Sequence, residues 1–203
     1  MVLMNILHIL RHFEPKRSDG SYINACLIAV SALTASGFTR EELDKYASRI
    51  SRSLTLLKVH GASERSFILA LLCQPYETTC LSCSFLEDIY GESFINDLKS
   101  LVPVKTISVP NKRVRRELKH AELETSSADV QNVRCVQLIV QGSQILHLGR
   151  KFSSVYMCEL NSSAHSLSKA LPELREKLEA VASCDMTVVN ILNFSASLRR
   201  SSF

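Results

Sequence analysis

The sequence predicts an α+β protein, with a helical N-terminal half packed on a C-terminal β-β-β-α-β half that carries a small, mainly antiparallel sheet. Two observations lead there. Helix caps and breakers recur through the first hundred residues, whereas three apolar, extended-looking runs fall between residues 133 and 160. Turn residues separate those runs. Helices and strands thus occupy different stretches of chain, which favours segregated layers over a doubly wound sheet.

The helical half is read from its punctuation. Leu3, Ile6, Leu7 and Leu10 recur at helical spacing and suggest a docking helix. Ser21 can cap a helix with Ile23, Cys26, Leu27 and Val30 on its inner face, which Gly37 ends. Thr39 and Glu42 form a capping box ahead of Leu43, Tyr46, Ala47, Ile50, Leu54 and Leu57, and Gly61 closes that helix. Ser63 starts a further helix through FILALLC (67–73), which Pro75 stops. This run is apolar on all sides and reads equally well as a buried strand. Thr78 or Thr79 then caps a helix with Leu81, Phe85 and Ile89 on one stripe and Cys83, Leu86 and Tyr90 on the next, ended by Gly91. Phe94, Ile95, Leu98 and Leu101 mark a short helix before Pro103.

Beyond Pro103 the character changes. VKTISV (104–109) looks extended. VRCVQLIV (133–140), QILHL (144–148) and FSSVYMCEL (152–160) read as strands joined by turns at Gly142-Ser143 and Gly149-Arg150-Lys151. A helix follows with Pro172 in its first turn and Leu174, Leu178 and Val181 facing inward. MTVVNIL (186–192) reads as a last strand. The expected organisation is a helical subdomain at 1–102, a basic then acidic connector at 103–129 and an α/β subdomain at 130–203. The alternative is one compact domain.

Composition bounds the function. The chain has 203 residues, 46% apolar and 22% charged, enough apolar material for a sizeable core and too much for whole-chain disorder. Its seven cysteines are scattered, mostly among aliphatic residues, unlike a dense disulfide scaffold. Free thiols in a reducing compartment are expected. The first apolar run, about ten residues, is too short to span a bilayer. Its basic residues follow it instead of preceding it, so no secretory signal is expected. The protein is therefore expected inside the cell, in cytoplasm or nucleus.

Two clusters carry candidate chemistry. Cys73, Cys80 and Cys83 include a Cys-x-x-Cys pair and could supply part of a zinc site, which needs four converging ligands. No second pair exists, no β-α-β context suggests a redox motif, and the helical caps around the cluster favour a buried helix face. No cofactor is expected unless zinc binds there. Residues 111–120 hold Lys112, Arg113, Arg115, Arg116 and Lys119 against one acid, Glu117. That local excess equals the +4 of the whole chain, so the positive charge is concentrated in one place. Such a patch suits phosphates, an import receptor or an acidic partner. No aromatic residue interleaves with it to stack on bases.

Glycine-rich phosphate loops, nucleophile elbows and metalloprotease motifs are missing. The expectation is a non-catalytic adaptor or assembly protein acting through protein–protein contacts. The alternative is an RNA- or other nucleic-acid-binding protein that uses the basic stretch, with a structural zinc at the cysteine cluster.

Overall fold

The structure, a computed structural model, describes residues 2–15, 20–79, 81–103, 111–145 and 150–183. All regular structure among them is helical: α1 (Val2–Arg11), α2 (Ser21–Ala35), α3 (Arg40–Val59), α4 (Glu64–Thr78), α5 (Cys83–Tyr90), α6 (Glu92–Leu101), α7 (Lys112–Thr125), α8 (Ala128–Ile145), α9 (Arg150–His165) and α10 (Pro172–Ala182). The expected α+β class is therefore wrong. VRCVQLIV lies inside α8, and FSSVYMCEL lies inside α9. The expected strands at 104–109 and 186–192, and most of 144–148, lie outside the described residues.

The reason for the error is physical. α4 and α8 are the two central helices. α4 packs on α2, α3, α6 and α8, and α8 packs on α3, α4, α6, α9 and α10. A helix covered on most sides keeps at most a narrow polar stripe, so the 3.6-residue period in its sequence is weak. In α8 that stripe is Arg134, Gln137, Gln141 and Gln144, which are only partly buried or exposed. Phe67 through Leu72 are all buried in α4, and Val133, Cys135, Val136, Leu138, Ile139 and Val140 are all buried in α8. Such a run cannot be told from a buried strand by periodicity. Gly142, expected in a turn, sits inside α8 at its contact with α9 and α10.

Local signals fared better. The Thr39 capping box is present: Glu42 N–H donates to Thr39 Oγ1 at 3.3 Å, and Thr39 N–H donates to Glu42 Oε2 at 2.8 Å. Ser63 caps α4 by accepting from Ser66 N–H. Gly37 ends α2 in a Schellman turn, with Phe38 N–H on Leu33 O and Gly37 N–H on Thr34 O. Pro172 opens α10 as expected. Ser21 is the first residue of α2, whose N-cap is Gly20.

Pro75 does not stop α4; it lies inside the helix and is buried. It has no N–H to give to the Leu71 carbonyl four residues back. Tyr46 of α3 fills the gap, its Oη donating to Leu71 O at 2.8 Å. A second buried polar group organises the other end of the molecule. Gln131 of α8 donates from Nε2 to Leu123 O at the end of α7 and accepts from Lys169 N–H ahead of α10, both at 2.7 Å. Next to it, Asn132 Oδ1 accepts from Leu171 N–H at 2.8 Å. Asp129 joins the starts of α8 and α4 by accepting from Ser63 Oγ and Ser66 Oγ. α8 thus joins residues from both expected subdomains.

Candidate functional site

The basic stretch is a helix. Asn111 caps α7, its side chain accepting from the N–H groups of Arg113 and Val114. Lys112 is in α7, but its side chain lies outside the described residues. Arg113 is exposed and pairs with Glu117 one turn on, at 2.8 Å. Arg115 is half-buried and has interactions of its own. Arg116 reaches across to Glu159 of α9. Lys119 is turned inward, where its Nζ donates to Ser100 O and, at 2.8 Å, to Val102 O at the end of α6, and pairs with Glu122 at 2.9 Å. A cation at a helix C-terminus meets the unsatisfied carbonyls and the negative end of the dipole. Burial lowers the pKa of Lys119, while the Glu122 contact opposes that shift.

Four of the five expected phosphate-binding cations thus have interactions within the molecule, and the side chain of the fifth, Lys112, lies outside the described residues. Sequence reading gives their charge; it does not give their direction. What it missed is the other side of the helix. Val114, Leu118, Ala121 and Thr125 follow at intervals of four, three and four, so they share one stripe. All four are exposed. The opposite side, with Arg116, Lys119, His120 and Leu123, faces the body, and Leu123 is fully buried. α7 is an amphipathic helix docked by its polar side. The spacing was legible in the sequence, and the dense charge masked it.

α5 shows a similar exposure. Its N-cap is Ser82, not Thr78 or Thr79, and Leu86 is its buried residue. Phe85 and Ile89, one turn apart, are 46% and 44% exposed, comparable with 39% at Val114 and 48% at Leu118.

The cysteine cluster is divided by the break between α4 and α5. Cys73, on α4, is half-buried; its Sγ accepts from Gln137 Nε2 at 3.0 Å, and burial pushes its thiol up to about 11. A thiol held protonated is a poor metal ligand. Cys83 is the first residue of α5 and is exposed, with its Sγ 3.0 Å from Tyr76 Oη, so the expected buried helix face does not include it. Cys80 lies outside the described residues. Among the described residues, no group of three or more His, Cys, Asp and Glu could hold a metal ion.

A cleft of about 510 Å³ lies between α7, α8 and α9, and a second cavity of about 330 Å³ opens beside α3, α4 and α8. No helix among the described residues is long and apolar enough to cross a membrane. Comparisons with family models, with curated proteins and with solved structures gave no match.

Proposed function

We propose that the protein acts as a non-catalytic adaptor or assembly component, and that the outward stripe of α7 receives the apolar face of a partner protein's helix. The observation that supports this reading is the inverted amphipathicity of α7. Scattered single apolar residues on a surface are ordinary. A continuous stripe on a helix that cannot roll over is different. Turning α7 to bury Val114 and Leu118 would break the bonds of Lys119 to the end of α6, the Arg116–Glu159 pair and the burial of Leu123. The stripe therefore stays available to a partner, in the manner of helix-to-groove or helix-to-helix recognition.

The test is capture of partners by full-length protein, quantified by mass spectrometry, comparing the natural chain with Val114→Asp/Leu118→Asp. Placing two carboxylates in the centre of an interface is expected to reduce capture by at least about tenfold. Far-UV circular dichroism should be unchanged, because both positions are exposed. Arg113→Ala/Arg115→Ala should leave capture intact. Unchanged capture by the Asp pair would overturn the proposal. Loss of binding only in the arginine variant, with steep salt dependence, would transfer the reading to nucleic acid.

A further inference from the structure

Leu27 and Val59 are exposed singly, which is ordinary for a surface. Four further large apolar side chains exposed among the described residues fall in two pairs, each one helical turn apart: Phe85 with Ile89 on α5, and Val114 with Leu118 on α7. α5 is held in place as α7 is. Leu86 is fully buried on its inner side, and Tyr90 packs on Phe94 of α6 and donates from Oη to Ser21 O of α2 at 3.3 Å. Turning α5 to cover Phe85 and Ile89 would expose Leu86 and break that bond, so this pair too stays at the surface.

The two helices carry opposite charge. Between Arg65 and Lys99 the sequence has no Lys or Arg, and Asp97 is paired with Arg65. Glu87 and Asp88 of α5 and Glu92 at the start of α6 are exposed, with no ion-pair partner among the described residues. Asp88 follows Phe85 by three residues and so lies beside the apolar pair. On α7 the beginning is basic: Lys112, Arg113, Arg115 and Arg116 all precede its first acid, Glu117. Acids in the last turn of α5 and cations in the first turn of α7 each oppose their own helix dipole. Each end therefore favours opposite charge brought from outside.

We propose that the acidic face of α5 receives the α7 stripe of a second copy of the chain, an inference that rests on the docking reading of α7 and names its partner. An antiparallel crossing sets Ile89 against Val114 and Phe85 against Leu118, and brings Glu87 and Asp88 to the basic beginning of α7. The apolar pairs hold the contact. The charges select the pairing and its direction, so truncating an exposed one costs little, whereas reversing two sets like charges against each other. Two faces this short make a small contact, so a Kd on the order of 10 μM or weaker is expected, and dilute chain is monomeric. Each copy offers one face of each kind, so the contact is heterologous and continues into larger assemblies unless it closes on itself.

Sedimentation velocity of the full chain, from about 1 μM to about 1 mM, tests it. The natural chain is expected to associate reversibly as concentration rises, while Phe85→Asp/Ile89→Asp and Val114→Asp/Leu118→Asp each stay monomeric. Mixed together, the two variants should form a one-to-one dimer and nothing larger, because each keeps the face that the other lacks. Glu87→Lys/Asp88→Lys, which leaves both apolar pairs intact, should weaken association by about tenfold or more. A natural chain that is monomeric throughout would overturn the proposal. If Val114→Asp/Leu118→Asp then still reduces capture of other proteins, the docking reading of α7 stands with a different partner; unchanged capture removes both. Full association by either α5 variant, or a mixture of the two Asp variants that forms no dimer, would overturn the proposal equally.

Discussion

Gly142→Leu is expected to destabilise the folded protein by about 2–3 kcal/mol, the cost of forcing a large side chain into a closely packed contact. Gly142 sits in α8 where α9 and α10 come closest. A Cβ built there would lie 2.7 Å from Val181 Cγ1 on α10 and 2.8 Å from Leu160 Cδ1 on α9. Both neighbours are buried, so neither can swing out to solvent. The substitution must push two helices away from a third. Gly142→Ala should fall between, because alanine gains up to about 1 kcal/mol of helix propensity while its methyl group presses on the same two side chains. Urea unfolding measures both, and the denaturant slope should hold constant if only stability changes. A neutral Gly142→Leu would mean that the three helices do not meet at this point.

Tyr46→Phe is expected to cost about 1–3 kcal/mol, because it leaves the Leu71 carbonyl buried without a donor. The origin of that need is Pro75, which cannot donate back along α4. The two residues should therefore be coupled. In a Pro75→Ala background the alanine N–H can reach Leu71 O, and the tyrosine hydroxyl becomes dispensable. Tyr46→Phe should then cost at least about 0.5 kcal/mol less than in the natural chain, beyond the spread of independent sites. Equal costs in the two backgrounds would show that Tyr46 is not replacing the missing helix bond.

These two residues also show which parts of the fold the sequence reveals. Caps and breakers act through neighbours in the chain, so Thr39 with Glu42, Ser63, Gly37 and Pro172 were readable without tertiary knowledge. The long amphipathic α3 was readable too, because Leu43, Tyr46, Ala47, Ile50, Leu54 and Leu57 form one buried face. α4 and α8 lie at the centre, where burial on most sides weakens the period, leaving α8 only the narrow stripe of Arg134, Gln137, Gln141 and Gln144 and an apolar run of ambiguous type. In α8 the polar residues Gln131 and Asn132 add to the ambiguity, since they are buried to hold the backbone ahead of α10. α9 is a different case. Met157, Leu160 and Ala164 are buried at helical spacing, a signal that was present and was outweighed by the glycines at 142 and 149.

The candidate sites divide along the same line. The concentration of charge at 112–119 is a property of composition and was legible. Which way Arg116 and Lys119 point depends on Glu159 and on the end of α6, both distant in sequence. Arg134 gave no local sign of its place either. Its partial burial results from the helices packed around α8, and a lone arginine in an apolar run is equally compatible with an exposed position on a strand.

The orientation of α7 carries the functional reading, and site-resolved thiol labelling tests it most directly. Val114→Cys, Leu118→Cys and Leu123→Cys would each be labelled in the folded full chain, with mass spectrometry of peptides separating the new thiol from the natural ones. Positions 114 and 118 are expected to react in the folded protein at rates close to those in denaturant, and position 123 only after unfolding. Protection at 114 and 118 with rapid reaction at 123 would turn the helix over, bury its apolar stripe and contradict the proposed docking face.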